Sequence, residues 1–330
     1  MNQVPLFDRV AIVGVGLLGA SLGLALRRAG LAQHVTGIGR AGSESLQIAR
    51  DRGAVDEITT DMAQGLKHAD MVVLATNISE FPAILAQLAQ TGRPGCIITD
   101  VASTKGQVMD LARQLLPPEQ VFIGSHPMTG SEKSGAIHAR ADLYRGTLCL
   151  LTPPTDSRPG APADVALAAI RRMWEGIGMR TCTITPQEHD RWVAVISHAP
   201  HAVAAAIVNA TDRCPAARVA IAGGFLDTTR IASGNVDMWT DIFTSNSGRL
   251  LGAIAGLQEE LQLLTTALTR GDSAEVRQWL ARAKSTRDAM VEARTGAART
   301  DAARADGART DGSRSDATTS GPSPPRHEKP

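Results

Sequence analysis

The stretch that decides the fold of this 330-residue chain is Arg9-Val-Ala-Ile-Val-Gly14-Val-Gly16-Leu-Leu-Gly19. Residues 9–13 form a β-rich run that stops at Gly14, and residues 17–29 have the Ala/Leu-rich composition of a helix. A G-x-G-x-x-G pattern between a strand and a helix predicts a dinucleotide-binding turn. In such a turn Gly14 makes the tight bend, Gly16 lets the backbone approach the pyrophosphate, and Gly19 lets the helix pack on the strand.

This turn and the end of the second strand supply the candidate cofactor-binding residues. The phosphates are expected at the helix N-terminus, where free N–H groups and the helix dipole favour anions. NAD-binding units usually carry Asp or Glu after the second strand, whereas this chain has Arg40 there, with Ser43 nearby. These residues suit a 2′-phosphate, so NADP is the predicted cofactor; if Arg40 is only a solvated surface residue, NAD serves as well. The predicted cofactor-binding set is Gly14, Gly16, Leu17, Leu18, Gly19, Arg40 and Ser43.

Strand-like and helix-like runs alternate downstream of the glycine turn. Strands are predicted at 34–39, 71–75, 96–100, 121–124, 147–152 and 180–184, and helices at 43–52, 81–90, 105–116 and 164–176. Helices of this length between strands favour right-handed βαβ units. The predicted fold class is therefore α/β, with a doubly wound parallel sheet in residues 1–186.

The composition changes after Pro186. Ala/Leu/Ile-rich segments at helical spacing occupy 188–212, 216–222, 238–268 (broken near 245–247) and 273–291, with no convincing strand. They predict an all-helical domain at 187–292, which often supplies one wall of an active site and a dimer interface. Beyond it, Arg and Asp recur at a five-residue period without large apolar side chains, which predicts a disordered tail at 293–330.

Composition excludes several classes of protein. The net charge is +1 and 43% of the residues are hydrophobic, which favours neither nucleic acid nor a membrane surface as a partner. The N-terminus lacks a basic region followed by a long apolar core, so no secretory signal is predicted. The four cysteines are widely scattered, which indicates reduced thiols and a cytoplasmic protein.

A second informative stretch is Gly124-Ser-His-Pro-Met-Thr-Gly-Ser-Glu-Lys-Ser-Gly135. It follows the predicted strand 121–124, and a loop after a strand of a parallel sheet opens onto the crevice where ligands bind. His126 would place an imidazole that titrates near neutral pH beside the predicted cofactor site. This pairing predicts proton removal coupled to a redox cofactor.

Four separated motifs, in order, cover roughly residues 8 to 291. They are the stretch just quoted, Asp100-Val-Ala-Ser-Thr-Lys105, Ser197-His-Ala-Pro-His201, and Gly223-Gly-Phe-Leu-Asp-Thr-Thr-Arg-Ile-Ala232 followed by Met238-Trp-Thr-Asp241. Together they resemble the signature of the prephenate and arogenate dehydrogenases of tyrosine biosynthesis. The resemblance implies an N-terminal Rossmann domain, a helical dimerisation domain, a homodimer, and oxidative decarboxylation of a cyclohexadienol to a phenol.

The resemblance also assigns roles to individual residues. His126 would take the proton of the substrate hydroxyl while hydride passes to the nicotinamide, and Ser103 would orient the hydroxyl or the nicotinamide. The implied substrate carries two anionic groups. The residues implied to bind it or to line its pocket are Ser131, Glu132, His201, Arg230 and Trp239. Prephenate and arogenate both remain possible substrates at this point.

Three alternatives stay open. His198 and His201, with Glu188-His189-Asp190, offer possible metal ligands, but they do not form an H-E-x-x-H pattern, so no metal is predicted. Another Rossmann dehydrogenase of the 3-hydroxyacid type would need a lysine or asparagine constellation where this chain has Ser197 to His201. A non-catalytic NADP-binding protein would bind the cofactor without turnover.

Overall fold

Eight strands form one sheet in the computed structural model, which describes residues 4–131, 133–155 and 160–311, with side-chain burial given as far as residue 293. The strands are β1 Phe7–Val13, β2 Ala32–Ile38, β3 Glu57–Thr59, β4 Met71–Leu74, β5 Ile97–Asp100, β6 Val121–Pro127, β7 Leu148–Thr152 and β8 Arg180–Thr183. Their order across the sheet is β3-β2-β1-β4-β5-β6-β7-β8. Strands β2 and β3 lie on one side of β1, whereas β4 and the later strands lie on its other side. The strand order therefore reverses between β1 and β4, and a ligand crevice is expected outside the carboxyl ends of these two strands.

The sheet is parallel from β3 to β6, but β7 runs antiparallel to β6 and β8 is parallel to β7. The doubly wound α/β prediction is confirmed, and the expectation of a wholly parallel sheet is wrong at β7. Within residues 128–147, apart from residue 132, the structure describes only a short 3-10 helix, Ala136–His138, between β6 and β7. Without a crossover helix to carry the chain back, the next strand returns in the opposite direction.

Twelve α-helices are described. They are α1 Leu17–Arg28, α2 Glu44–Asp51, α3 Met62–Leu66, α4 Phe81–Thr91, α5 Gly106–Leu115, α6 Pro162–Gly176, α7 Pro186–Val193, α8 Ala199–Thr211, α9 Gly223–Thr229, α10 Val236–Ser245, α11 Ser247–Arg270 and α12 Ser273–Asp311. The short elements β3 and α3 are absent from the predicted elements, because three to five residues are too few to show a hydrophobic period.

Two hydrophobic clusters cover opposite faces of the sheet. Alternate residues of β1 divide between them: Val10 and Ile12 face α1, α2 and α6, whereas Ala11 and Val13 face α3, α4 and α5. Successive side chains of a strand point to opposite faces, and a parallel sheet is therefore buried on both sides. Burial of both faces leaves the carboxyl ends of the strands as the edge where side chains can meet a ligand.

Helix α7 begins at a capping box, in which Thr185 and Glu188 each accept from the other's backbone N–H. The predicted helix 188–212 is in fact divided, because a single π-helical turn, Ala194–His198, separates α7 from α8. The predicted helix 216–222 is instead a 3-10 helix, Pro215–Ala220. Pro215 lacks an N–H and fixes its φ angle, which favours a short turn over a regular α-helix. Turns of the π type occur frequently at functional sites.

By contacts the chain divides into two compact units, Met1–Ala255 and Gly256–Pro330. Helix α7 lies in the first of these units and packs against α5 and β7. The predicted domain boundary near Pro186 stays a prediction. In the second unit, Glu260 of α11 accepts hydrogen bonds from Trp279 and Arg282 of α12. Helix α12 continues to Asp311, past the predicted start of the disordered tail at 293. Its alanines and arginines are strong helix formers even where no apolar face exists; residues 312–330 lie outside the described residues.

The helical segment Pro186–Thr211, 26 residues long, has the length and apolar composition of a membrane-crossing helix, and it is the one such segment among the described residues. A buried helix of a soluble protein satisfies the same criteria. The segment also carries four buried polar side chains, namely His189, Asp190, His198 and His201. The expectation of no membrane partner stays a prediction.

Candidate active site

The glycine turn has the geometry of a phosphate cradle. Gly14 has a φ angle of +91°, and a Cβ atom there would lie 2.6 Å from the Ala75 carbonyl oxygen. A Cβ atom at Gly19 would collide with the Gly14 carbonyl, whereas one at Gly16 would meet nothing within 4 Å. Helix α1 starts directly after Gly16 with the uncharged residues Leu17 and Leu18. The turn therefore combines tight packing with an open approach to a helix N-terminus, which suits a pyrophosphate.

Arg40 lies in an exposed turn that follows β2. Its carbonyl accepts from the N–H of Ser43, and Gly42 between them has a φ angle of +75°. Ser43 then begins α2 as its N-cap. Within the described part of the chain, no acidic side chain pairs with Arg40, so its guanidinium is available at the edge of the crevice.

His126 lies inside β6, so its predicted placement in a loop after the strand is wrong. The strand extends three residues beyond the apolar run because its last four residues pair with β7, after the first three have paired with β5. Ser103 is half-buried and follows the end of β5, at the same carboxyl edge of the sheet as His126. His126 is 8% exposed, and it therefore reaches the crevice from a rigid element.

A chain of hydrogen bonds leads from His126 to the N-terminus of α5. His126 Nδ1 lies 2.9 Å from His189 Nε2, and His189 Nδ1 lies 2.8 Å from Asp190 Oδ1. The Asp190 carboxylate also accepts from the backbone N–H groups of Lys105 and Gly106, each at 2.8 Å. The anionic side chain thus sits at the positive end of a helix dipole.

Burial lowers the pKa of His126 well below its ordinary value of 6.5, and the nearby His189, Lys105 and His198 lower it further. Burial likewise lowers the pKa of His189, although Asp190 opposes that shift. At neutral pH both imidazoles are therefore uncharged. A neutral imidazole keeps one bare ring nitrogen, which is what a proton acceptor needs.

A buried ion pair supports the segment that carries Ser103. Lys105 Nζ donates to Asp100 Oδ2, and both side chains are completely buried. The same carboxylate accepts from the backbone N–H of Ser125 at 2.9 Å and of Ala102 at 3.0 Å. Burial raises the pKa of Asp100, and Lys105 opposes the rise. Asp100 thereby ties the end of β5 to β6 and to the segment that carries Ser103.

A second aromatic and histidine cluster lies on α8 and α10. The rings of His201 and Trp239 stack at a centroid distance of 3.5 Å, and His198 meets the same indole edge-on at 6.3 Å. Burial lowers the pKa of His198 to about 4 and also lowers the pKa of His201. His198 Nε2 and His201 Nδ1 are buried without a hydrogen-bond partner among the described residues. A buried nitrogen without a hydrogen bond costs free energy of folding unless a ligand or a water molecule forms the missing hydrogen bond.

Two contacts hold α10 over the carboxyl ends of β4 and β5. Asp241 accepts from the Ser79 hydroxyl at 2.6 Å and from the Ser79 N–H at 3.1 Å. The hydroxyls of Thr104 and Ser245 lie 3.0 Å apart. Asn246, which follows α10, donates to the carbonyl of Asp190 at 2.8 Å. The helix that bears Trp239 is therefore fixed to the same edge of the sheet as His126.

The remaining predicted site residues lie in exposed segments. Arg230 is exposed and begins the 3-10 helix Arg230–Ser233, which is followed by Gly234 against Trp239 and His201. A Cβ atom at Gly234 would lie 2.5 Å from Trp239 Nε1. Ser131 is exposed and its hydroxyl accepts from the Lys133 N–H. Glu132 lies outside the described residues.

The sequence did not reveal the partners of His126. The sequence offers His189 and Asp190 only as possible metal ligands, and Lys105 only as part of a motif. A His-Asp pair at the start of an otherwise apolar helix was the available signal. Within residues 4–131, 133–155 and 160–311, no group of three or more His, Cys, Asp or Glu is arranged to hold a metal ion. Both ring nitrogens of His189 are already hydrogen-bonded within the chain.

A nucleotide-binding turn, with a buried neutral imidazole facing the same crevice, defines a nicotinamide-dependent dehydrogenase. Comparison with known proteins narrows the class. A family model described as the prephenate dehydrogenase nucleotide-binding domain matches residues 22–183, and the corresponding dimerization domain matches residues 185–282. The chain therefore belongs to the prephenate dehydrogenase family. This confirms the resemblance found in the four motifs and replaces the 3-hydroxyacid interpretation.

Individual relatives agree with this family. The prephenate dehydrogenase of Bacillus subtilis is 33% identical over 304 residues, which are 90% of this chain and 79% of that protein. The crystal structure of A. aeolicus prephenate dehydrogenase with hydroxyphenyl propionate and NAD+ is similar with a TM-score of 0.78 and 32% identity, covering 86% of this chain and 98% of that one. Synechocystis arogenate dehydrogenase has a TM-score of 0.71 at 32% identity, covering 86% and 99%.

Proposed function

We propose that this protein oxidatively decarboxylates prephenate, arogenate or both, with hydride transfer to a nicotinamide cofactor and NADP preferred over NAD. The products are 4-hydroxyphenylpyruvate from prephenate and tyrosine from arogenate. The observation that carries the proposal is the buried, neutral His126 near the carboxyl end of β6, at the same edge of the sheet as Ser103 and the glycine turn. Family membership supplies the substrate class.

His126 acts on a single proton during the reaction. It accepts a hydrogen bond from the ring hydroxyl and takes the proton as hydride leaves the carbinol carbon. The bound nicotinamide supplies the hydride acceptor. The ring carboxylate then leaves as carbon dioxide, and the electron pair of the broken carbon–carbon bond completes the aromatic ring. His126 returns its proton to the phenolate oxygen, so the residue ends as it began.

The charges of the substrate account for the residues around Trp239. Both candidate substrates carry a ring carboxylate and a side-chain carboxylate. Arg230 is suited to one of these, because a guanidinium can bind a carboxylate through two parallel hydrogen bonds. His201 offers a buried nitrogen without a hydrogen-bond partner among the described residues, which can donate to or accept from the substrate. Trp239 holds the His201 ring by stacking. Ser131 and Glu132 keep the roles at the pocket that the family resemblance implies.

The decisive assay crosses prephenate and arogenate with NADP and NAD, with nicotinamide reduction followed spectrophotometrically and the phenolic product identified. Turnover of either substrate is the expected result. Tight NADP binding without turnover of either would instead support a non-catalytic nucleotide-binding protein. The NAD+ held by the A. aeolicus neighbour makes NAD the alternative cofactor.

Replacing Arg40 with alanine is expected to lower kcat/KM for NADP about 10- to 100-fold and for NAD less than about threefold. Charge-assisted hydrogen bonds of the kind that Arg40 would make to a 2′-phosphate contribute about 1.5–3 kcal/mol, which corresponds to that range. The matched control is Arg50→Ala, which removes another exposed arginine from α2. A higher kcat/KM with NAD that is unchanged in Arg40→Ala would overturn the NADP preference.

The proposal includes a homodimer built by the helical half. Among residues 187–255, several large apolar side chains are exposed, including Val195 (60%), Ile196 (63%), Leu226 (58%), Val236 (76%) and Leu251 (66%). Apolar patches of this kind mark protein interfaces. The dimerization-domain model covers the same residues. Sedimentation equilibrium of the full chain should give twice the 34.7 kDa chain mass, and a monomer mass at micromolar concentration would contradict the dimer.

A further inference from the structure

We infer that His189 and Asp190 are positioning residues that fix the tautomer of His126, so that His126 Nδ1 carries the proton and Nε2 is the bare acceptor for the substrate hydroxyl. The role of that acceptor rests on the proposed function. The tautomer itself follows from the order of donors and acceptors along the hydrogen-bonded chain, starting from Asp190.

Asp190 is held as an acceptor on every side. Its Oδ1 accepts from the backbone N–H of Lys105, and its Oδ2 accepts from that of Gly106. A Cβ atom at Gly106 would lie 2.8 Å from Oδ2, so a glycine is needed for this close approach. Burial raises the pKa of Asp190, but the hydrogen bonds from His189, Lys105 and Gly106 outweigh it and leave that pKa below its usual value. The side chain is therefore a carboxylate, which can only accept.

An acceptor-only partner determines the state of His189. Its Nδ1 lies 2.8 Å from Asp190 Oδ1 and must carry a proton, because two lone pairs at that distance would repel. Burial lowers the pKa of His189, so the ring holds one proton and its Nε2 is bare. His126 Nδ1, at 2.9 Å, must then be the donor to that nitrogen.

Because His126 Nδ1 is the donor to His189 Nε2, the proton of the His126 ring is on Nδ1. The ring is buried and neutral, so its second nitrogen, Nε2, has a free lone pair. The opposite tautomer would require His189 to carry its proton on Nε2 and to present a bare Nδ1 to a carboxylate. That arrangement is excluded by the two backbone N–H groups that keep Asp190 ionised and in place. The backbone N–H groups at the N-terminus of α5 thus fix Asp190, and through His189 they determine which nitrogen of His126 carries the proton.

The principal test is Asp190→Asn in the full chain. An amide has one acceptor and one donor atom where the carboxylate has two acceptors, so at least one of the hydrogen bonds from His189, Lys105 and Gly106 is lost. With its nitrogen towards His189 Nδ1, both imidazoles adopt the opposite tautomer, which removes the acceptor at His126 Nε2. We expect kcat to fall about 100-fold or more, as when a neighbouring carboxylate that sets a catalytic imidazole is neutralised, with substrate and cofactor KM values within about threefold. Long-range ¹H–¹⁵N spectra of ¹⁵N-histidine-labelled protein should show His126 protonated on Nδ1 in the wild type and on Nε2 in the variant.

The matched control is Glu188→Gln, the same change of carboxylate to amide on the same helix. Glu188 belongs to the capping box of α7, where glutamine serves equally, so its kcat and its histidine spectrum should match the wild type. If Asp190→Asn does not fold, His189→Gln and His189→Leu provide the test. Glutamine keeps an acceptor for His126 Nδ1 and leucine does not, so the glutamine variant should have the higher kcat.

Two results would overturn the inference: a wild type in which His126 carries its proton on Nε2, or a folded His189→Leu with kcat within threefold of the wild type. The spectra do not depend on turnover. If the wild type shows the expected tautomer but oxidises neither prephenate nor arogenate, the proposed function fails and the positioning role stands.

Discussion

Replacing His126 with asparagine is expected to lower kcat about 1,000-fold or more, within the range by which a positioned general base accelerates a reaction. His126 is the one described imidazole that combines a place on a strand of the sheet, burial and a neutral state at the crevice. Asparagine fills much of the same space, and its amide N–H can still donate to His189 Nε2. Folding and cofactor affinity should therefore be preserved.

The measurements are steady-state kcat, cofactor affinity by fluorescence titration and the thermal midpoint. His68→Asn, which changes an exposed histidine after α3, is the matched control and should leave all three unchanged. In the wild type, kcat/KM should stay flat from about pH 8 to 6.5 and fall only at lower pH, because burial holds the pKa of His126 below its ordinary value. A His126→Asn variant with kcat within tenfold of the wild type would contradict the proposed base.

Replacing Lys105 with methionine is expected to lower the free energy of unfolding by about 3–5 kcal/mol, the usual cost of breaking a buried ion pair by removing one partner. Lys105 and Asp100 are both completely buried. Methionine fills the volume but leaves the Asp100 carboxylate with only the N–H groups of Ser125 and Ala102 as partners. The uncompensated charge, rather than lost packing, causes the loss.

Urea unfolding measures this change, and two variants test its cause. Arg113→Met removes the exposed partner of Asp110 in α5, where both side chains are more than half exposed, so a loss below about 1 kcal/mol is expected. Adding Asp100→Asn to Lys105→Met removes the buried charge and should recover about 1–2 kcal/mol. A loss below about 1 kcal/mol in Lys105→Met alone would show that the pair is not the support inferred here.

Much of the nucleotide-binding half could be predicted from the sequence. Gly14 and Gly19 stand where a side chain would collide with neighbouring backbone or side-chain atoms, and the strands on either side of them carry continuous apolar runs. These signals are local, because turn chemistry and hydrophobic period act over a few residues. Short elements escaped for the same reason: β3 has three residues and α3 has five.

The helical half was predicted less completely. The helices were evident in outline, but the π-helical turn at Ala194–His198 was not, although it sets the direction in which His198 and His201 leave the helix. No local sequence pattern predicts a π-helical turn, because its hydrogen bonds depend on the tertiary contacts of the helix. The extent of α12 was likewise missed, since the absence of an apolar face limits burial and not helical propensity.

By itself the sequence determined the glycine turn, the family and most of the element order, and it predicted His126 and Ser103 as site residues, because each is encoded in a short continuous pattern. Only the tertiary structure decided that β7 reverses, that His126 lies within a strand, and that His189 and Asp190 stand behind it. His126 and His189 are 63 residues apart in the chain. Their meeting depends on the sheet register and on the docking of α7 against α5. The sheet register and this helix docking each result from many contacts between residues that are distant in the sequence, so no local pattern predicts them.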